Sequence, residues 1–106
     1  MSYGIYVGRD LTLDGNAWLA GYGDEPSSHW LEITSSKTNE SGESITVGVS
    51  ETADMPGKRI KIPQVNHTHR YISVNYSYYK GVPAPITNGG LNEYGVAVRD
   101  IWSTSR

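Results

Sequence analysis

Two groups of side chains in this chain have types and spacings that chemistry can use. The first is at the amino terminus, where Ser2 follows Met1 and precedes the alternating run Tyr3-Gly4-Ile5-Tyr6-Val7. Removal of Met1 would leave a hydroxyl and a free α-amine on one residue, held at the end of a strand. Such an amine has an unperturbed pKa of roughly 7.7 to 8, so near neutral pH part of it is unprotonated and can take the hydroxyl's proton. Nucleophile and base then share Ser2, and no separate histidine is required. With Met1 retained, Ser2 has no α-amine and this chemistry fails. The second group is His67 and His69, which a strand would place on one face, as in some metal sites. A third ligand would have to be His29 or an acid such as Asp54, and no spacing points to either, so the expectation is no metal and no cofactor.

These residues sit in a chain of 106 residues, enough for one domain. Lys and Arg total 9 against 11 Asp and Glu, a net charge of −2 with no basic block, so nucleic acid is not expected as a partner. Cysteine is absent, which removes disulfides and thiolate metal sites. No apolar run approaches the roughly 18 residues of a membrane-spanning helix, and no charged-then-apolar leader opens the chain, so a soluble cytoplasmic protein without membrane contact is expected. The 8 Tyr and 3 Trp, with no Phe, suit half-buried strands and the walls of polar clefts.

The elements that must position the chemistry read as strands. Residues 3–9 and 16–22 flank Asp14-Gly15, a hairpin signal, and are expected to pair antiparallel. The second run ends in Gly21-Tyr22-Gly23-Asp24-Glu25-Pro26, where glycines and a proline break the pattern beside two carboxylates, at the kind of bend where sites lie. His29 to Thr34 resumes as a strand with Leu31 and Ile33 on one face. Ser35 to Ser44 reads as an exposed loop. Ile45, Val47 and Val49 alternate, Met55-Pro56-Gly57 fits a turn, and Ile60 and Ile62 make a short strand stopped by Pro63. Arg70 to Tyr79 is β-branched and aromatic, the two prolines of Gly81 to Pro85 predict an extended connector, and Gly89-Gly90 opens the last run. No ten-residue stretch has helical periodicity.

The opening Ser2-Tyr3-Gly4-Ile5-Tyr6-Val7-Gly8-Arg9-Asp10, then Asp14-Gly15, Gly23-Asp24 and the late Gly90-Leu91-Asn92-Glu93-Tyr94-Gly95-Val96-Ala97-Val98 together resemble the amino-terminal part of the C69 family of dipeptidases, relatives of secernin and, more distantly, of penicillin V acylase. The resemblance implies an α+β fold, the αββα sandwich of the N-terminal-nucleophile hydrolases, with this chain supplying mostly antiparallel β. It implies an amide hydrolase working through an acyl-enzyme on a small peptide or amide. It also implies that residues 1–106 are the opening portion of one domain continued by a second segment or chain, with a homo-oligomer possible.

Carried over by position, Ser2 falls where these relatives have a nucleophilic cysteine, and Asp24 where they have an aspartate that orients the nucleophile's amine. Where relatives often have an arginine, three residues before that aspartate, this chain has Gly21. Asn88 and Asn92 are the candidates for substrate binding, although both also read as turn residues, and Glu93 accompanies Asn92 in the same signature. Trp18, Trp30 and Trp102 read as packing residues. Two rival expectations stand beside the hydrolase: a catalytically inactive homologue, and a small β domain binding through exposed Tyr and Trp.

Overall fold

The computed structural model describes residues 2–23, 27–49, 57–79 and 82–101. Strand β1 (Tyr3–Val7) pairs with β2 (Trp18–Tyr22), Tyr3 opposite Tyr22 and Val7 opposite Trp18. This is the expected hairpin, but Asp14-Gly15 does not close it as a two-residue turn. Residues 8–17 make a wider loop that opens on a 3-10 helix (Arg9–Leu11). In that loop Gly15 takes φ 70°, a left-handed backbone that favours glycine. Asp14 beside it accepts the Asn16 backbone N–H on Oδ1 at 3.2 Å and the Asn16 amide on Oδ2 at 3.0 Å. The side-chain bond from Asn16 is the main reason the Asp14 carboxyl lies below the usual carboxylate range.

The middle of the chain is one long hairpin. Its outgoing strand is β3 (His29–Thr34), β4 (Lys37–Thr38) and β5 (Ser44–Val47); its return is β6 (Ile60–Pro63), β7 (His67–Thr68) and β8 (Tyr71–Tyr79). One register runs from His29 opposite Tyr76 to Thr38 opposite His67. A turn at Glu40 to Glu43, with Gly42 at φ 82°, then lets the outgoing strand slip before Ser44 meets Pro63. The expected loop from Ser35 to Ser44 is therefore part of this arm. Asn39 seals the slip, its buried amide donating to Val65 O and Thr68 Oγ1 at 2.9 Å each. Met55 and Pro56, expected in a turn, lie outside the described residues.

Strands β9 (Val82–Asn92) and β10 (Ala97–Arg99) complete a four-stranded sheet in the order β10-β9-β8-β3. The stretch expected as a proline-rich connector opens β9 instead, with Val82 opposite Tyr79 and Pro83 opposite Tyr78. The ladder shifts register just beyond, and such irregularities are where a sheet tolerates prolines. Gly89 and Gly90 lie inside β9, and the turn to β10 follows at Glu93 to Gly95.

All these pairings are antiparallel, and the αββα sandwich is not what the chain forms. Among the described residues the only helical element is the 3-10 turn at Arg9–Leu11. The physical reason is that period-2 alternation of β-branched and aromatic residues, cut by glycine and proline, gives no stretch a continuous apolar stripe at helical spacing. The same residues hold no helix long and apolar enough to cross a membrane.

The hairpin β1–β2 packs along β10, and a cavity of about 460 Å³ separates Trp18 and Leu19 from Ile72, Val74 and Leu91 on the sheet. Little of this apolar face is covered: Leu31 is 70% and Ile33 71% exposed, and Tyr76 is the one buried large apolar side chain among the described residues. The opposite face holds a polar ladder, in which the buried Asn75 donates to Glu32 Oε2 at 2.9 Å and accepts the Thr87 hydroxyl at 2.8 Å. The chain exposes 8485 Å², whereas a compact monomer of 11.7 kDa exposes about 5,900 Å². Its radius of gyration is 15.9 Å, against about 13 Å for a compact domain of this length.

Two outcomes are expected. The purified chain should enhance the fluorescence of the apolar dye ANS and unfold over a broad temperature range; a sharp transition without dye binding would contradict the uncovered face. At the first hairpin, a depressed folded-state pKa means that the Asp14 bonds stabilise the loop at pH above the ordinary carboxylate range and are lost as pH falls through the folded value. A carboxylate NMR titration should give Asp14 a midpoint below that of a free aspartate, and Asn16→Ala should raise it.

Candidate functional site

Ser2 immediately precedes the Tyr3–Tyr22 pair that ends the first hairpin, so it lies at the end where β2 runs out into Gly23. The two tyrosine rings stack at 5.2 Å between centroids and fix that end. Asp24, the expected amine-orienting carboxylate, is the next residue after Gly23 and lies outside the described residues, as does Met1.

At the same end a cavity of about 460 Å³ opens between hairpin and sheet, walled by Leu19, Gly21, Tyr22, Gly23, His29, Val74, Asn88 and Arg99. Its residues come from five strands, β2, β3, β8, β9 and β10. Val74 and Gly89 are cross-strand partners, as are Gly89 and Arg99, which places Arg99 in the row of side chains under the hairpin. Arg99 crosses the floor there and meets Gly21: a Cβ built on Gly21 would stand 2.1 Å from Arg99 Nε. Only glycine leaves that space. The guanidinium, 17% exposed, is anchored through Nη1, which donates to Asn88 O at 2.7 Å and to the Asp100 carboxylate at 3.1 Å. Nε and Nη2 have no hydrogen-bond partner among the described residues.

Asn88 is the extra residue of a β-bulge. Val74 pairs with Gly89 and Asn75 with Thr87, so Asn88 has no partner of its own across the ladder. Bulges re-aim side chains beside sites. Asn88 is 3% exposed, and its Oδ1 is one of two buried side-chain polar atoms left without a partner among the described residues, Ser27 Oγ being the other. The turn role open to Asn88 in the sequence is not the one it takes; it sits inside a strand, in the cavity wall.

Asn92 takes a different place, four residues along the same strand and roughly 13 Å away at the usual strand rise. Its Oδ1 accepts the N–H groups of Tyr94 at 3.0 Å and Val96 at 2.9 Å, which organises the β9–β10 turn. Glu93 beside it accepts the Arg70 N–H at 3.1 Å and lies 3.8 Å from His69 Nδ1. His67 and His69 do share a face, their rings meeting edge-on at 5.1 Å, and His69 packs on Tyr94 at 4.5 Å. Among the described residues no three His, Cys, Asp or Glu are grouped to hold a metal ion, and Asp54 lies outside them. Trp18 lines the cavity that faces Ile72, Val74 and Leu91, Trp30 lies on β3 at 38% exposure, and Trp102 is outside the described residues.

Arg99 is the site residue that sequence reasoning missed. The signal for it was Gly21: a glycine inside a strand, with no turn to make, marks the close approach of another group. Comparison with known protein families, curated proteins and solved structures gives no match.

If Gly21 and Arg99 share one space, Gly21→Ala should destabilise the chain by about 1–3 kcal/mol through overpacking. Combined with Arg99→Ala it should cost less than the sum of the two, read as denaturant midpoints in a double-mutant cycle. Full additivity would show that the two residues do not touch in solution.

Proposed function

We propose that this chain carries the nucleophile of an amide hydrolase, with Ser2 acting after loss of Met1. The observation that supports the reading is the position of Ser2 next to the Tyr3–Tyr22 pair, at the end of the β1–β2 hairpin where Tyr22, Gly23, Asn88 and Arg99 line a cavity large enough for a small amide. The resemblance of the opening and of the Gly90 to Val98 segment to the C69 dipeptidases supports the same chemistry. The Ser2 hydroxyl attacks the substrate carbonyl while its own α-amine takes the proton. The C–N bond breaks, the leaving amine receives that proton, and an ester to Ser2 Oγ remains. Water then attacks the ester, the α-amine again accepting a proton, and the acid leaves. Asp24 orients the α-amine by accepting a hydrogen bond from it. Arg99 brings a positive charge over Gly21, the position where the relatives' arginine is missing.

A second reading, a binding protein on the same scaffold, is favoured by one observation: the stacked Tyr3 and Tyr22 are 54% and 50% exposed, with Tyr6 at 71% nearby on the same hairpin.

Intact mass measurement with a panel of dipeptides and N-acyl amino acids separates the two. Protein lacking Met1 should hydrolyse a member of the panel, with kcat/KM rising as pH passes the roughly 7.7–8 of an α-amine, and Ser2→Ala should abolish the reaction. Activity unchanged in Ser2→Ala, or none across the panel in protein shown to lack Met1, would remove the hydrolase reading.

A further inference from the structure

The open part of the apolar face has a definite width. The first hairpin packs along β10, and what remains bare is the far side of the sheet, made by β3 and β8 and two strands wide. There Leu31 and Ile33 stand 70% and 71% exposed, and the cross-strand row Ile33–Ile72–Leu91 lines an open cavity of about 290 Å³. A second apolar surface lies on the arm, where β5 and β6 form a two-stranded sheet of their own. Ile45 pairs with Ile62 and Val47 with Ile60, so alternation puts all four β-branched side chains on one face and Ser44, Thr46, Lys61 and Pro63 on the other. Ile60 is 50% and Ile62 37% exposed. Two strands alone are marginal in water and need a surface to pack on. The arm cannot use the face of its own sheet: it prolongs β3 and β8 beyond the end of that face, and the Asn39 bonds across the slip hold it there.

We propose that the arm of one copy of this chain lies across the open β3–β8 face of a second copy, whose own arm returns the contact, making a two-fold dimer. Each chain carries both surfaces, so a two-fold axis satisfies both contacts at once and leaves neither arm over. A two-stranded ribbon matches the width of the bare strip, and sheets packed face to face at about 10 Å let Ile60 and Ile62 meet the row of Ile33 and Ile72. The area agrees. The chain exposes roughly 2,600 Å² more than a compact monomer of its mass, against about 800 Å² per partner in a standard interface. The polar face of the arm, with Lys61, stays in water.

The chain has no cysteine, so Ile62→Cys and Leu31→Cys each bring a single thiol, and a disulfide joining the two variants can form only between copies. Mixed in equal amounts, one of them isotope-labelled, and oxidised gently, they should give a mixed dimer of twice 11.7 kDa in excess of the two-to-one ratio that random pairing produces. An excess of either variant joined to itself would mean arm on arm or sheet on sheet, and overturns the exchange. In sedimentation equilibrium the unsubstituted chain should pass from monomer to dimer as its concentration rises, with ANS fluorescence per chain falling in step, because the dye-binding face belongs to the dissociated chain. Ile60→Lys should weaken the dimer at least tenfold, while Lys61→Glu, on the polar face, should leave it unchanged. Should Ile60→Lys fail to fold, the mixed disulfide decides. A dimer indifferent to a folded Ile60→Lys overturns the proposal, and so does a monomer at every concentration, which assigns the bare face to a different occupant.

Discussion

The contact that governs the rest of this structure is the crossing of Arg99 over Gly21. The first hairpin carries Ser2, the sheet carries Asn88, and where they meet β10 lies against β2. Two glycines set that spacing. A side chain at Gly21 would strike the Arg99 guanidinium, and one at Gly4 would come within 2.9 Å of Ile101 Cδ1. Glycine inside a strand costs roughly 0.5–1 kcal/mol relative to alanine, so each weakens the hairpin that bears it. The close approach offsets that weakness only if Arg99 stays in place. Its anchor on the Asn88 carbonyl therefore ties the position of the amino terminus to a bulge two strands away.

That tie matters because little else holds the hairpin. The polar ladder of Glu32, Asn75 and Thr87 is buried only at Asn75, while the apolar face remains open along Leu31 and Ile33. A ladder of this kind specifies register more than it adds stability, since each net hydrogen bond contributes about 1 kcal/mol. Apolar burial normally supplies the larger share, at about 25 cal/mol per Å² removed from water. The surface in excess of a compact monomer, roughly 2,600 Å², is of the size that obligate interfaces bury. The secondary structure is thus better determined than the packing of its parts.

Much of the strand pattern was legible in the sequence. Alternation located β1, β2, β3, β5, β6 and β8, and Asp14-Gly15 announced the first hairpin although the loop around it is longer than that signal implies. The failures have separate causes. Ser35 to Ser44 looked like a loop because its residues are polar, yet Asn39 makes them part of a paired arm through bonds to residues far along the chain. The prolines in 82–85 suggested a connector because the rule against them assumes a regular ladder, and this ladder is irregular. The sandwich failed because it was carried by resemblance and by nothing in the periodicity. At the site, Ser2 could be read from its position in the chain. Arg99 could not, since an arginine near the end of an alternating run gives no sign of what it crosses until the register of three strands is known.

The bulge at Asn88 connects the fold to the chemistry. In a regular ladder the residue between Gly89 and Thr87 would not exist, and the side chains on either side would keep strict alternation. The extra residue places an amide in the wall between sheet and hairpin while leaving Asn75 free to serve the polar ladder on the other face. An unpaired buried acceptor costs about 1–3 kcal/mol, a large fraction of the 5–15 kcal/mol that holds a typical domain, and this protein has little apolar burial to offset it. Placed at random, such a defect would be hard to accommodate. Here it shares a wall with a guanidinium that is itself only partly bonded, at the end of the hairpin that carries Ser2. The bulge thus holds Arg99 through the Asn88 carbonyl and, through Arg99, sets how closely the hairpin that carries Ser2 approaches the sheet.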